Sequence, residues 1–156
     1  MQGRVYSVII SAAAATANVD LFEVNVAATK MVEILELHVS QQTEIADAGE
    51  EALQIVIKTG MTSSGSGGTA PTAIPRFIGD AAYAGTVEVM NTTKSSGGTI
   101  VTHESHGWNI RLPFVRIWTP DSTLWIPPSG RFAVEQLVTP ADSITYNGTL
   151  IFREYG

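Results

Sequence analysis

The sequence predicts an all-β fold, an antiparallel β-sandwich of the jelly-roll type with long connecting loops and little helix. Short segments with apolar residues at alternate positions recur along the 156 residues. Clusters of Gly, Pro, Ser and Asp separate these segments, and few stretches show the apolar spacing of a helix. Eight to ten strands of this kind fit a jelly roll. We expect a single domain over residues 1–156, because nothing in the sequence marks a boundary.

The first predicted strand is Arg4–Ser11, in which Tyr6, Val8 and Ile10 occupy alternate positions. The run over residues 5–15 also resembles the apolar segment of a secretory signal, but polar residues interrupt it. The run is too short to span a bilayer. We therefore expect a strand here and no membrane partner.

Strands account for most of the remaining sequence, since apolar and polar residues alternate between turn signals. The other predicted strands are Leu21–Val26, Met31–Ser40, Glu51–Thr59, Gly85–Asn91, Thr99–Glu104, Trp108–Leu112, Ser122–Ile126, Arg131–Val138 and Ser143–Glu154. Helix is predicted for a turn or two at most, within Ala46–Ala52 and Pro75–Ala84, which Gly or Pro residues bound.

The fourth predicted strand has the clearest alternation. Leu53, Ile55 and Ile57 fall on one face, whereas Gln54 and Lys58 fall on the other. This pattern is typical of a strand with one face in a core and one face in water.

The stretch Gly60–Pro71 follows that strand directly and consists mainly of Gly, Ser and Thr without any charge. It lacks both the Lys and the following helix of a phosphate-binding loop. The composition predicts a flexible loop displayed by a rigid sheet. We interpret it either as a contact arm that orders against a neighbouring subunit or as a passive surface tip.

Composition narrows the classes of partner. The formal net charge is −6, and only nine Lys and Arg residues are scattered along the chain, so we expect no direct contact with nucleic acid. Without cysteine, the chain can form neither a disulfide framework nor a thiolate zinc site. Charged residues make up 15% and hydrophobic residues 44%, which leaves a weakly charged surface suited to burial against other subunits.

Catalytic and metal-binding patterns are weak. No Gly-x-Ser-x-Gly elbow occurs. His103, Glu104 and His106 have metal-ligand side chains, but in a strand the two histidines point to opposite faces and could share a metal only across a turn. We interpret them as exposed polar residues, and we expect no enzyme activity, no cofactor and no metal.

Trp108, Trp118 and Trp125 lie within eighteen positions of one another. Exposed Trp rings on a β-sandwich can stack against sugars, so a carbohydrate-binding module is the main alternative function. Trp residues of a small sandwich also fill its core or a subunit interface, and the sequence leaves these readings open.

Several sequence blocks together resemble a group of small β-rich proteins found with structural genes of tailed bacteriophages. The blocks are Gly3–Val8, Glu50–Lys58, Gly67–Thr72, Gly85–Glu88, Asn91–Thr93, Pro140–Ser143 and Gly148–Phe152. This resemblance implies a non-enzymatic virion component, most simply a head decoration (cement) protein. It further implies a homotrimer that is made in the host cytoplasm and binds the major capsid protein on the capsid exterior.

We expect the trimer and capsid contacts to come from the chain start, the tryptophans and two long loops. The residues concerned are Met1, Gln2, Gly3, Arg4, Trp108, Trp118 and Trp125, with the loops Thr59–Pro75 and Phe114–Pro128. A role in the tail or in receptor binding is a further alternative, and it would combine a trimer with a cell-surface sugar.

Overall fold

The computed structural model describes residues 3–42 and 51–156, which form eleven strands in two sheets. The strands are β1 (Arg4–Ala15), β2 (Asp20–Asn25), β3 (Met31–Gln41), β4 (Ala52–Thr59), β5 (Ile74–Pro75), β6 (Thr86–Asn91), β7 (Val101–Asn109), β8 (Phe114–Ile117), β9 (Trp125–Ile126), β10 (Arg131–Gln136) and β11 (Ile144–Tyr155). These residues contain no helix, and hence none that could cross a membrane.

The strand order confirms the predicted jelly roll. Sheet A has the order β5-β1-β11-β3-β8, with β9 also paired to β3, and sheet B has the order β6-β2-β10-β4-β7. The antiparallel pairs are nested, because β1 pairs with β11, β2 with β10, β3 with β8 and β4 with β7. This wrapping of one long antiparallel ribbon into two sheets is the jelly-roll topology.

The core lies between the two sheets and is built from the alternate inward side chains of both. Leu53, Ile55 and Ile57 of β4 are at most 2% exposed, which confirms the inward face predicted for this strand. The largest fully buried side chains are aromatic, namely Tyr6, Phe22, Phe132, Tyr146 and Phe152. Each of these rings buries roughly 150–250 Å² of surface in the core.

Two of the predicted strands are one strand in the structure. Thr99–Glu104 and Trp108–Leu112 were separated at Gly107, but β7 continues through this glycine, which pairs with Gln54 of β4. A Cβ built on Gly107 would meet nothing within 4 Å, so this glycine tolerates an extended strand without requiring a turn.

The segment Phe114–Pro128 is not one loop as predicted. It contains β8 and β9, and both strands pair with β3 at the edge of sheet A. Strand β9 covers only the end of the predicted strand Ser122–Ile126, because Thr119–Ser122 forms a turn in which the Ser122 amide donates to the Thr119 carbonyl at 2.9 Å. Strands this short rarely stand out in a sequence pattern.

The predicted helical turn within Pro75–Ala84 is also wrong. Pro75 belongs to β5 and pairs with Tyr6, and the Asp80 amide donates to the Phe77 carbonyl at 3.2 Å in a turn. Most of the other helical candidate, Ala46–Ala52, lies outside the described residues, and its last residue begins β4.

Candidate contact surface

The outer face of sheet A carries large apolar side chains that are half exposed. Ile9 of β1 is 49% exposed and Ile117 of β8 is 57% exposed, although Val8 and Ile10 beside Ile9 are buried. This alternation places Ile9 on the side away from the core. The set, which we call the apolar face, comprises Ile9, Met31, Ile74, Val115, Ile117 and Trp125.

The register of the strands arranges these side chains in rows across sheet A. One row contains Ile74, Ser7, Ile151, Glu36 and Ile117, and the next contains Ile9, Thr149, His38 and Val115. Polar groups occupy the middle of both rows, where the His38 ring nitrogen Nε2 lies 3.1 Å from Glu36 Oε2. Apolar groups interspersed with hydrogen-bonding groups are typical of protein contact surfaces.

Trp125 is the member of the apolar face with an aromatic neighbour. Its ring lies 5.2 Å from the ring of Tyr155, whose hydroxyl donates to Glu33 Oε2 at 2.8 Å. Arg153 Nη1 also donates to Glu33 Oε2, at 3.1 Å. A groove of about 240 Å³, which we call the Trp125 groove, lies beside it and is lined in part by Met61, Leu124, Trp125, Ile126, Pro127 and Arg131.

The other two predicted contact tryptophans are buried. Trp108 is 3% exposed and Trp118 is 5% exposed, and both belong to the hydrophobic core. The Trp108 indole nitrogen donates to the Leu112 carbonyl at 2.6 Å. Their prediction as surface residues is therefore corrected, because two large rings are buried where the sheets meet and their N–H groups have partners within the chain.

The two histidines considered as metal ligands have different partners in the structure. His106 Nε2 lies 2.9 Å from Glu104 Oε2, whereas His103 Nε2 lies 2.8 Å from Thr59 Oγ1. Within residues 3–42 and 51–156, no group of three or more His, Asp or Glu side chains is placed to hold a metal ion.

Glu104 instead joins the edges of the two sheets, because it lies on β7 and binds side chains that β8 and its continuation present. Arg116 donates to both carboxylate oxygens, at 2.7 and 2.9 Å, and the Trp118 indole donates at 2.7 Å. Burial opposes ionisation, but the hydrogen bonds from Arg116, His106 and Trp118 outweigh it and lower the pKa of Glu104 to about 2. The cluster links β7 of sheet B to β8 of sheet A at one edge of the sandwich.

Gly3 and Arg4, two of the predicted contact residues at the chain start, lie next to an exposed turn. Met1 and Gln2 are outside the described residues, Gly3 is half buried, and Arg4 is exposed with its Nε 3.9 Å from Asp80 Oδ1. The turn, which we call the 76–80 tip, carries two apolar side chains in water. Phe77 is 70% exposed and Ile78 is 96% exposed.

The stretch Gly60–Pro71 is a packed segment, which corrects the prediction of a flexible displayed loop. It lies over the outer face of sheet B together with residues 92–98, and we call these two segments the cover. They pair with each other as the Ser66 amide donates to the Thr93 carbonyl at 2.8 Å. An uncharged segment of the chain itself therefore lies over the outer face of sheet B, where the alternation in β4 predicts water.

Glycines allow the cover to approach the sheet closely. A Cβ on Gly65 would lie 2.6 Å from the Thr93 carbonyl oxygen, and a Cβ on Gly68 would lie 2.1 Å from the Val89 carbonyl oxygen. The Gly65 amide donates to Glu23 Oε2 at 2.9 Å, a contact that this close approach permits. Glycine here serves packing, whereas the composition had indicated flexibility.

Charged side chains of sheet B are buried beneath the cover. Lys58 is 4% exposed, with its Nζ 3.1 Å from Asp20 Oδ1 and 2.9 Å from Glu135 Oε2. Lys94 of the cover also contacts Glu135. Lys58, on the side of β4 that is predicted to face water, is therefore buried, since an ion pair of this kind satisfies its charge within the protein, whereas Gln54 on the same side is half buried.

The two carboxylates that share Lys58 respond differently to their surroundings. Burial raises the pKa of Asp20 above its usual value, in spite of hydrogen bonds from Ser95 and Lys58. Burial acts on Glu135 in the same direction, but the hydrogen bonds from Lys94 and Lys58 lower its pKa overall. Lys58 and Lys94 together outweigh the effect of burial on the pKa of Glu135. Lys58 and Ser95 do not outweigh the effect of burial on the pKa of Asp20.

Comparisons with known proteins give only distant likenesses. No protein-family model matches the chain, and no curated protein sequence matches it. The chain is similar over 97% of its length to 40% of a chain in T=1 particles derived from infectious bursal virus, with 14% identity and a TM-score of 0.25. It is similar over 98% to 41% of a chain of infectious bursal disease virus strain Gx, with 16% identity and a TM-score of 0.22.

The chain thus spans less than half the length of these viral chains. At identities and TM-scores this low, we base no functional statement on the likeness.

Proposed function

We propose that this chain is a non-enzymatic structural protein of a virus particle, a trimeric decoration protein that stabilises contacts between major capsid subunits. The observation that carries the proposal is the apolar face. Ile9, Val115 and Ile117 are each about half exposed on a sheet that is otherwise well packed. The sequence blocks that resemble phage virion proteins support the same role.

Burial of the apolar face would provide the free energy for binding. Each Å² of apolar surface removed from water contributes about 25 cal/mol. Residues Ile74, Ile151 and Ile117 lie in one row, so one flat partner could cover them together. The polar groups between them, such as the His38 and Glu36 pair, already have partners and need not be desolvated alone.

A decoration protein also gains from the number of its copies. Each copy adds a modest contact, and many copies bound to one particle raise its resistance to rupture without any single tight site. Symmetric association would present the same apolar face from each subunit. In this proposal the protein is made in the host cytoplasm and is bound on the capsid exterior, without contact to nucleic acid or membrane.

The test of this function is binding to expanded capsids of the tailed phage that carries the gene, measured by co-sedimentation. We expect saturable binding by the wild-type chain and at least tenfold weaker binding after Ile9→Ser with Ile117→Ser. Leu137→Ser is the matched control, because Leu137 is 43% exposed but follows β10 of sheet B. A wild-type chain that stays in the supernatant at all concentrations would contradict the proposal.

The second candidate function is sugar binding, and the Trp125 and Tyr155 pair favours it. The rings lie 5.2 Å apart, and Glu33 and Arg153 lie beside them as hydrogen-bonding groups. A carbohydrate-binding chain would be a monomer whose Trp fluorescence shifts on titration with glycans. A receptor-binding tail protein would combine that shift with a trimeric mass, so fluorescence and mass together separate the three functions.

A further inference from the structure

A cleft lies between the start of β1 and the 76–80 tip, at the edge of sheet A formed by β5 and β1. Its volume is about 590 Å³, within the range of roughly 300–1,000 Å³ that small-ligand sites occupy. We call it the arginine cleft, and the residues that line it are Gly3, Arg4, Val5, Arg76, Phe77 and Asp80. It shares no lining residue with the Trp125 groove, so it is a separate place at which a molecule could bind.

Hydrogen bonds hold the two walls of the arginine cleft in a fixed relation. The Arg76 amide donates to the Val5 carbonyl at 2.8 Å, which joins the tip to β1 and continues the ladder between β5 and β1. On the far side of the tip, the Tyr6 hydroxyl donates to the Ala81 carbonyl at 2.9 Å. The cleft is therefore already formed in the free chain, and a ligand loses little binding free energy in ordering its backbone.

The side chains that line the arginine cleft carry a surplus of positive charge. The guanidinium groups of Arg4 and Arg76 are accompanied by one carboxylate, that of Asp80, and Arg4 Nε lies 3.9 Å from Asp80 Oδ1. Arg76 is exposed, and its guanidinium has no hydrogen-bond or ion-pair partner within residues 3–42 and 51–156. An anion in the cleft would therefore meet unpaired donors, although the net charge of the whole chain is −6.

The other groups of the arginine cleft narrow the class of anion. A guanidinium binds a planar carboxylate through two parallel N–H donors. Ionised Asp80 can only accept hydrogen bonds, so it suits hydroxyl groups and repels a second carboxylate. Phe77 is 70% exposed and offers an aromatic face against which the C–H groups of a ring can pack.

One carboxylate, several hydroxyl groups and a ring with an apolar face are combined in acidic sugars. A neutral sugar would leave the guanidinium of Arg76 unpaired. An acidic peptide would match the arginines but would bring further carboxylates close to Asp80. The combination of groups in the cleft thus favours the acidic sugar over both.

We infer that the arginine cleft binds a sugar that carries a carboxylate, a chemistry shared by sialic acids and uronic acids. The carboxylate pairs with the arginines, hydroxyl groups donate to Asp80, and the ring packs against Phe77. The inference goes beyond the proposed function, because occupation of this cleft requires neither a capsid nor a trimer. It also differs from sugar binding at Trp125 and Tyr155, which do not line the cleft.

The first experiment titrates the ¹⁵N-labelled chain with sialyllactose, trigalacturonate and lactose and follows the amide chemical shifts. We expect saturable shifts at Gly3, Arg76 and Phe77 with at least one acidic probe, with a Kd of about 1 mM or lower. Lactose should bind at least tenfold more weakly, and the tighter of the two acidic probes identifies the source of the carboxylate.

Trp fluorescence in the same titration distinguishes the arginine cleft from the Trp125 and Tyr155 pair. The fluorescence should stay constant while the amide shifts saturate, because no tryptophan lines the cleft. A fluorescence change without amide shifts at the tip would place the sugar at Trp125 and overturn the inference.

The second experiment tests the side chains of the cleft with variants that keep the wild-type midpoint of thermal unfolding. Arg76→Gln should weaken binding of the acidic probe at least tenfold, and Arg76→Lys should give a smaller loss because it keeps the charge without the paired donors. Phe77→Ser should also weaken binding. Arg111→Gln is the matched control, at an exposed arginine that does not line the cleft, and should bind as the wild type does.

The remaining outcomes separate this inference from the proposed function. Equal binding of lactose, equal binding of a hexaglutamate peptide with the same amide shifts, or no shift at the tip with either acidic probe up to about 20 mM would overturn it. Retained sugar binding by Ile9→Ser with Ile117→Ser, the variant designed to lose capsid binding, would support a site independent of the apolar face. Loss of sugar binding in that variant would overturn the assignment to the cleft.

Discussion

On the outer face of sheet B the chain covers its own charged side chains, whereas on the outer face of sheet A it leaves apolar side chains half exposed. Lys58 beneath the cover is 4% exposed, and Ile117 on the apolar face is 57% exposed. The usual preference is the reverse, with lysine in water and isoleucine inside. One face of the sandwich is thus completed within the subunit, and the other provides a surface that a further molecule can complete.

This difference predicts that substitutions on the two faces have different kinds of effect. Changes beneath the cover should alter the folding of the single chain, because the groups there depend on one another. Changes on the apolar face should alter association and leave folding almost unchanged. Substitutions on each face therefore test whether the two faces differ in this way.

The largest effect is expected for Lys58→Met. The substitution leaves the carboxylates of Asp20 and Glu135 buried near each other without the ammonium group between them. Removal of one partner of a buried ion pair costs about 3–5 kcal/mol. Urea unfolding should show this loss, and the control Lys30→Met, at a half-buried lysine outside the cover whose ammonium contacts the Gly156 carbonyl, should lose less than about 1 kcal/mol.

A partial rescue would strengthen this result. Adding Asp20→Asn and Glu135→Gln to Lys58→Met removes the unpaired charges and should restore part of the loss. A loss below about 1 kcal/mol in Lys58→Met itself would show that the cover opens easily to water.

Glu104→Gln should have the next largest effect, and the effect should depend on pH. The pKa of Glu104 is about 2 in the folded chain against 4.5 for an ordinary glutamate, which corresponds to about 3 kcal/mol. A lowered pKa stabilises the folded state above pH 4.5, and this contribution is lost as the pH falls towards 2. The difference in unfolding free energy between wild type and variant should therefore shrink over that window.

The control for this experiment is Glu36→Gln, because Glu36 pairs with His38 at a more exposed site. Its effect should stay below about 1 kcal/mol, as for other surface ion pairs. A difference between wild type and Glu104→Gln that is constant from pH 2 to 7 would contradict the lowered pKa.

Gly68→Ala should destabilise the chain by about 1–3 kcal/mol, because the added Cβ would lie 2.1 Å from the Val89 carbonyl oxygen. The cover would have to move away from β6 to accommodate it. Gly107→Ala is the matched control in an extended strand with nothing within 4 Å of the new atom. Thermal unfolding should show a lower midpoint for Gly68→Ala and an unchanged or slightly higher midpoint for Gly107→Ala.

The smallest effect on folding is expected on the apolar face. Ile9→Ser and Val115→Ser should each change the free energy of unfolding of the isolated chain by less than about 0.5 kcal/mol, as is usual for exposed sites. The measurement is urea unfolding at a concentration where the chain is monomeric. Losses above about 2 kcal/mol at these sites would mean that the apolar face is already packed within the subunit.

Much of the fold could be predicted from sequence, because a single period of two governs the inward side chains. Leu53, Ile55 and Ile57 are buried as the alternation indicates, and the nested strand pairs form the expected jelly roll. The short strand β8 was missed and β9 was predicted too long, since four and two residues are too few to establish a period.

The face beneath the cover could not be predicted because its signal is long-range. Lys58 alternates as a solvent-facing residue does, and only its distant partners Asp20 and Glu135 make its burial possible. One sequence signal could have indicated the contact between the two segments of the cover. Glycines recur in both Gly60–Pro71 and Ser96–Gly98, and glycine allows two segments to approach closely. Composition alone favours flexibility for such a stretch.

The predicted contact tryptophans differ in their exposure. Trp125 is exposed as expected, whereas Trp108 and Trp118 fill the core. Nothing in one sequence distinguishes these tryptophans, because each stands among apolar and polar neighbours. Phe77 and Ile78 were assigned to a helical turn, and their exposure became evident only when β5 was seen to anchor the turn to β1.

The burial of Lys58 also makes the reactivity of its amine a measure of how often the cover opens. The chain has three lysines, of which Lys30 is half buried outside the cover, Lys94 lies in the cover and Lys58 lies beneath it. An amine-acylating reagent should modify Lys30 within seconds, while Lys58 reacts only during the moments when the cover lifts. The ratio of the two modification rates, followed by mass spectrometry, would give the fraction of time for which the cover is open. It could be measured in the free chain and in any particle that contains it.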